Sequence, residues 1–273
     1  GLIGYHLALH DGEAEEVAMA IQEQYLPKFA GDALPQTKSG IAVALADRLD
    51  TLIGLFAIKQ PPTGSKDPFA LRRAALGVLR ILVEHELPLD LADLLAIAAS
   101  NYADLPALDT AAQDVFDFML ERFRFWFEEE SISAEVYLSV HALKPRVPLD
   151  FVRSARAVAG FAEQEASAAL IAGNKRVSII LSKLDEAVGT EVNEALLQEA
   201  AEKELYAALA SLSTDVANKV SNADYQGALS ALSGLRGPID KFFDEVRVMA
   251  DEEAVKANRL AILANLRQQF IGI

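Results

Sequence analysis

The sequence predicts an all-α protein built from two unlike helical domains, and three observations carry that expectation. Apolar residues recur three and four apart in nearly every window, the period of a helix with one buried face. No window reads as a confident strand. Near the middle of the 273 residues, Lys144-Pro145-Arg146-Val147-Pro148 interrupts the pattern, because two prolines three apart exclude both a helix interior and a central strand. The expected domains are therefore residues 1–145 and 146–273. No repeat of twenty to fifty residues is visible, which argues against a solenoid.

Each element is justified by local punctuation. Asp11-Gly12-Glu13 predicts a helix start, with Glu13, Glu15 and Glu16 at its positive end and Pro27 and Gly31 beyond its stop near Tyr25. A second helix is expected from Gly40 to Ile58. Pro61-Pro62-Thr63-Gly64-Ser65-Lys66 cannot continue it, and Asp67-Pro68 supplies a cap and a first-position proline for a helix ending near His85. Leu89 to Ala99 reads as helical, and Asp114 to Glu130 as one long helix with Phe116, Met119, Phe123, Trp126 and Phe127 as core. Beyond the linker, helices are expected at 149–161, 175–186, 191–212, 225–232, 237–248 and 252–271. The start at Gly1, without Met, and the stop just after an amphipathic run predict a piece of a longer protein.

Composition narrows the function classes. With 52% hydrophobic and 24% charged residues, the chain can bury enough apolar surface to fold. A net charge of −15 argues against gripping phosphate backbones by bulk charge, so any nucleic-acid contact must be local. The absence of cysteine removes disulfides, thiol nucleophiles and Cys-based zinc sites, and it fits a cytoplasmic protein. No stretch approaches the roughly 18 apolar residues of a membrane span.

Positive charge gathers at Lys66, Arg72, Arg73 and Arg80; at Lys144, Arg146, Arg153 and Arg156; at Asn174-Lys175-Arg176 with Lys183; and at Lys256, Arg259 and Arg267. Small basic patches on helices are commonly solvated faces. Gly64-Ser65-Lys66 lacks the earlier glycine and the preceding strand of a phosphate loop, so ATP binding there is not supported. His6, His10 and Asp11, with Asp47 and Asp50 on the next helix, offer nitrogen and oxygen ligands to a divalent metal. That set suggests a metal-dependent phosphohydrolase of the HD superfamily, but only five residues precede His6 to supply the further histidine the cage needs. The simpler reading makes Asp11 a helix cap. A third reading is a non-catalytic helical scaffold.

A long, specific resemblance favours none of these. Ile41-Ala-Val-Ala-Leu-Ala-Asp-Arg-Leu-Asp-Thr-Leu-Ile-Gly-Leu-Phe56 and Pro62-Thr-Gly-Ser-Lys-Asp-Pro-Phe-Ala-Leu-Arg-Arg-Ala-Ala-Leu-Gly-Val-Leu-Arg80 closely resemble the β subunit of bacterial heterotetrameric glycyl-tRNA synthetase. The resemblance continues in Tyr5 to Glu13, Ala172 to Leu181 and Pro238 to Glu253. It implies an HD-like helical domain, truncated at its N-terminus and without a hydrolase site, then a helical-bundle anticodon-binding domain like that of arginyl-tRNA synthetase. It also implies that tRNA(Gly) is held here while a partner α subunit, in an α2β2 assembly, attaches glycine using ATP and Mg²⁺. No cofactor, metal or catalytic residue is then expected in this fragment. Lys66, Arg72 and Arg73 are expected at the acceptor side of the tRNA or at the α-subunit interface. Asn174, Lys175 and Arg176, helped by Asn258 and Arg259, are expected at the anticodon, whose unstacked bases are read by edge hydrogen bonds with few cations.

Overall fold

The computed structural model describes residues 1–164, 167–184 and 188–271. Among them are fourteen α-helices and no strand; the one antiparallel bridge, Thr63 to Lys66, closes a turn. No helix among the described residues is long and apolar enough to cross a membrane. The chain divides into two compact units, Gly1–Val152 and Arg153–Ile273.

The first unit holds α1 (Leu2–His10), α2 (Glu15–Glu23), α3 (Lys38–Ala57), α4 (Leu71–Glu84), α5 (Leu91–Ala99), α6 (Leu108–Leu120), α7 (Arg122–Glu129) and α8 (Ala134–His141), and the start of α9 (Pro148–Ala162). Helix α3 is its hub and packs against α2, α4, α5 and α6. Its buried Ala44, Leu49, Leu52 and Ile53 meet Leu71, Ala75, Val78, Leu79 and Leu82 of α4 in the core. Each such leucine, isoleucine or valine contributes roughly 1.5–3 kcal/mol by leaving water. Phe123, Phe127 and Phe151 form a stacked set, with Phe123 and Phe151 4.6 Å apart and 11° from parallel.

Two buried charges fix the long turn between α2 and α3. Glu23 accepts hydrogen bonds from the backbone N–H of Gln36 (2.9 Å) and Thr37 (3.0 Å) and from the Thr37 hydroxyl. Thr37 in turn caps α3 by accepting from the N–H of Gly40 at 3.0 Å. Burial alone would raise the Glu23 pKa; the Thr37 hydroxyl, the two backbone N–H groups and nearby His85 outweigh it and hold the carboxyl below its ordinary value. Arg48 donates to the carbonyls of Gln24 (2.9 Å), Ala44 (2.9 Å) and Pro27 (3.1 Å).

The second unit packs α10 (Ser167–Ser182) against α13 (Arg236–Glu245) and α14 (Glu253–Ile271). Helix α11 (Ala200–Ser221) contacts α12 (Tyr225–Ser233), α13 and α14. Leu205, Leu232, Leu235, Phe242, Ile262, Leu263 and Leu266 lie in its core.

Several expected boundaries move, each for a local reason. Helix α1 was not expected, and Asp11 follows its end instead of capping α2, whose N-cap is Ala14. Asp67 does cap α4, but from further upstream: its carboxylate accepts from the N–H of Leu71 (2.8 Å) and Arg72 (3.0 Å), while Ala70 holds the N-cap position. The expected helix over 114–130 is broken at Glu121 into α6 and α7, with Trp126 half-buried and bonded to Glu130. Helix α8 was missed. Pro148 opens α9, because proline's missing N–H is harmless in a first turn. A 3₁₀ turn at Glu194–Leu196 precedes α11, which starts at Ala200 and runs on to Ser221. Helix α10 begins at Ser167, eight residues before the expected start at Lys175; the expected end at Glu186 lies outside the described residues. Gly173 is interior to α10, where a Cβ would come 3.0 Å from Ile239 of α13.

Candidate functional site

Leu170, Gly173 and Val177 form the buried side of α10, which leaves the following residues toward solvent. Lys175 is exposed, and its ammonium has no ion-pair partner among the described residues. Arg176 is also exposed, with its guanidinium 4.1 Å from the centre of the Phe243 ring on α13. A cation held so over an aromatic face is oriented without being neutralised. Asn174 is half-buried, and its Oδ1 is shielded from solvent with no hydrogen-bond partner among the described residues. Leaving such an acceptor unmade costs about 1–3 kcal/mol. All three sit mid-helix, where backbone N–H groups are already bonded, so recognition here must use side chains.

Asn258 and Arg259 of α14 do not join them on the surface. Asn258 is 5% exposed; its Oδ1 accepts from the N–H of Asn193 at 2.7 Å and its Nδ2 donates to the same residue's carbonyl at 3.1 Å. Arg259 is 6% exposed; its Nε donates to Glu202 and its Nη1 to the Arg247 carbonyl at 2.8 Å. Glu202 is wholly buried, and its other oxygen accepts from Gln198 and Glu199 N–H to cap α11. Both α14 groups are thus committed to holding the second unit together, which corrects the expectation that they face a ligand. The signal in the sequence was Glu199-x-x-Glu202, a capping pair whose inner carboxylate needs a cation once buried.

The basic residues around α4 divide in the same way. Arg72 donates to the Gly64 carbonyl at 2.7 Å and pins the turn that carries Lys66. Lys66 is exposed, and its ammonium is unpaired among the described residues. Arg73 is exposed, makes no ion pair with Asp67 or any other described carboxylate, and lines a cavity with Tyr25, Lys28, Asp47, Arg48 and Phe69. Of these neighbours only Asp47 stood out in the sequence, as a candidate metal ligand; the others did not. Their signal was an aromatic with a cation nearby on either side of a proline turn, Tyr25-Leu26-Pro27-Lys28 and Pro68-Phe69 before Arg72-Arg73, outside any helical period. Other basic residues are paired: Arg80 with Glu84, Lys144 with Asp117, Arg146 with Asp90 and Asp93, and Lys256 with Glu253.

His6, His10, Asp11 and Asp47 are all exposed, and among the described residues no group of three or more His, Asp and Glu side chains is gathered to hold a metal ion. His6 instead packs edge-on against Tyr5, 5.2 Å between ring centres.

Comparison with known proteins adds two family matches. Residues 1–142 match the family described as glycyl-tRNA synthetase beta subunit, and residues 170–271 match the DALR anticodon binding domain. The whole chain is 52% identical to the glycine–tRNA ligase beta subunits of Chromohalobacter salexigens and Aeromonas salmonicida, covering 40% of each. It is 51% identical to that of Marinobacter nauticus, covering 39%. The chain therefore spans about two fifths of the length of the curated relatives it matches.

Proposed function

Because the chain belongs to the glycyl-tRNA synthetase beta-subunit family, we propose that it is the tRNA-holding part of a glycine–tRNA ligase and reads the tRNA(Gly) anticodon through α10. One observation carries this reading. The exposed, unneutralised cations of α10 lie within the region that matches an anticodon-binding domain. A glycine anticodon ends in two cytosines, whose edges present an amino donor with carbonyl and ring-nitrogen acceptors. Arg176, exposed, can donate to the acceptors, and the half-buried Asn174 amide, whose Oδ1 has no partner inside the fold, accepts from the amino group by turning outward. Lys175 holds a flanking phosphate and contributes affinity without sequence preference.

In this reading the chain performs no chemistry. A partner α subunit, in an α2β2 assembly in the cytoplasm, activates glycine with ATP and Mg²⁺, and the β chain positions the tRNA. Lys66 and Arg73 serve the acceptor side of the tRNA or the α-subunit interface, and Arg72 acts indirectly by fixing the turn beneath Lys66. Filter binding of tRNA(Gly) against a non-glycine tRNA tests the reading. Preference for tRNA(Gly) is expected; equal binding of both would leave a scaffold with no tRNA specificity. In the assembled enzyme, replacing Arg73 and Lys66 together with alanine is expected to lower charging; unchanged charging would remove the acceptor-side assignment.

A further inference from the structure

The cavity at the start of α4 has a composition opposite to that of the chain around it. On a molecule of net charge −15, Lys28, Arg48 and Arg73 line one space of about 360 Å³ with a single carboxylate, Asp47. None of the three cations is in an ion pair among the described residues. Arg48 is buried, and every hydrogen bond it makes goes to a neutral carbonyl. Burial pulls its pKa down and nearby Asp47 only partly restores it. The fold also makes room for it: a Cβ on Gly77 of α4 would come 2.9 Å from Arg48 Nε. Two aromatic side chains line the same space yet remain open to solvent, Tyr25 at 53% and Phe69 at 49% exposure.

Each feature has a physical meaning. A buried guanidinium bonded only to carbonyls, its charge offset only in part by Asp47, raises the local potential and favours an arriving anion. Exposed aromatics beside unpaired cations form the combination that single-stranded nucleic acid requires, since bases stack on the rings while phosphates meet the charges. The volume is that of a small-molecule pocket, enough for one nucleotide and far too small for a duplex.

We propose that this cavity receives an unpaired nucleotide of an RNA, with its phosphate toward Arg73 and Lys28 and its base against Tyr25 or Phe69. The proposal rests on the tRNA-holding reading and extends it to a second contact, within the first unit and separate from α10. It requires no chemistry, only capture of a single-stranded segment.

Fluorescence anisotropy with the chain tests it. The probes are a labelled single-stranded RNA tetranucleotide, a blunt RNA duplex and adenosine monophosphate. Phe69→Leu, Tyr25→Leu and Arg73→Gln replace exposed side chains, so the fold is retained. Tetranucleotide binding is expected to weaken roughly 5- to 150-fold in at least one aromatic variant, the range for loss of a stacked base, and to weaken in Arg73→Gln. Duplex binding is expected to stay unchanged. Equal weakening toward the duplex, or none toward the tetranucleotide, overturns the proposal. Adenosine monophosphate binding as tightly as the tetranucleotide would make this a free-nucleotide site and also overturn it. Preference for tRNA(Gly), read separately in an α10 variant, reports on the parent reading, so either can fail while the other stands.

Discussion

Helices α10 and α14 carry nearly the same short text, Asn174-Lys175-Arg176 and Asn258-Arg259, and the fold uses them in opposite ways. On α14 both side chains turn inward and are bonded to Asn193, Glu202 and Arg247. On α10 the cations stay outside, and the asparagine keeps an acceptor unbonded. Residue type and spacing therefore say what a helix can recognise; the partners that pack on it decide whether that capacity is spent on folding or left for a ligand. The α4 region repeats the lesson within two residues, since Arg72 is consumed by Gly64 while Arg73 is free.

The contrast is sharpest where breaking it costs most. Arg259→Ala leaves Glu202 as an uncompensated buried charge, a loss of about 3–5 kcal/mol. Urea unfolding of the chain checks this, and a variant as stable as the parent would mean that α14 is not held by this pair. Replacing Arg259 and Glu202 together with apolar residues of similar volume is expected to cost less than removing Arg259 alone, the remaining loss being the Glu202 cap of α11.

Glu23 gives a pH-dependent counterpart in the first unit. Its folded pKa lies below the ordinary value, so its contribution is fully present above the ordinary carboxylate range and is lost as pH falls through the folded pKa. Glu23→Gln is expected to destabilise the chain at neutral pH by about 1.5–3 kcal/mol, the range for a hydrogen bond to a charged group, and to flatten the acid limb of stability against pH. Parallel pH profiles for variant and parent would contradict the role assigned to Glu23.

Smaller effects follow. Asn258→Ala removes both bonds to Asn193 and is expected to cost about 1–3 kcal/mol, while tRNA preference per folded molecule is unchanged. Arg176→Ala loses its seat on Phe243 and is expected to cost only about 0.5–1 kcal/mol of stability. Lys175→Ala, exposed and unpaired, should stay within about 0.5 kcal/mol of the parent. If calorimetry gave the α10 variants losses as large as those on α14, the comparison between the two helices would collapse.

How much of this was readable in advance follows the range of the interactions. Helical periodicity is local, and the all-α class followed from it; the Thr37 and Asp90 caps, equally local, went unread, so the starts at Lys38 and Leu91 were placed at Gly40 and Leu89. The α4 start shifted because Asp67 reaches Leu71 and Arg72 across a turn with Ala70 in the left-handed region. The α10 start was misplaced at Lys175 although the helix runs through Gly173, whose lack of a side chain serves the contact with Ile239. At the candidate site, Lys175 and Arg176 were legible because exposure is the default for cations. The roles of Asn258 and Arg259 were hidden because their partners lie 65 and 57 residues away, at Asn193 and Glu202. The cavity was hidden for the same reason: Lys28, Arg48 and Arg73 come from three separate segments.

The central claim is that α10 reads the anticodon while α14 only supports the domain. Its most direct test is the ratio of affinities for tRNA(Gly) and for a tRNA(Gly) altered at the cytosine pair of its anticodon. That ratio is measured by filter binding at one salt concentration for the parent, Asn174→Ala, Arg176→Ala and Lys175→Ala. Each base contact is worth about 1–3 kcal/mol of discrimination, so Asn174→Ala and Arg176→Ala should each bring the ratio toward one. Lys175→Ala should weaken both tRNAs equally and leave the ratio intact. An unaltered ratio in all three variants would contradict the account and remove anticodon recognition from α10.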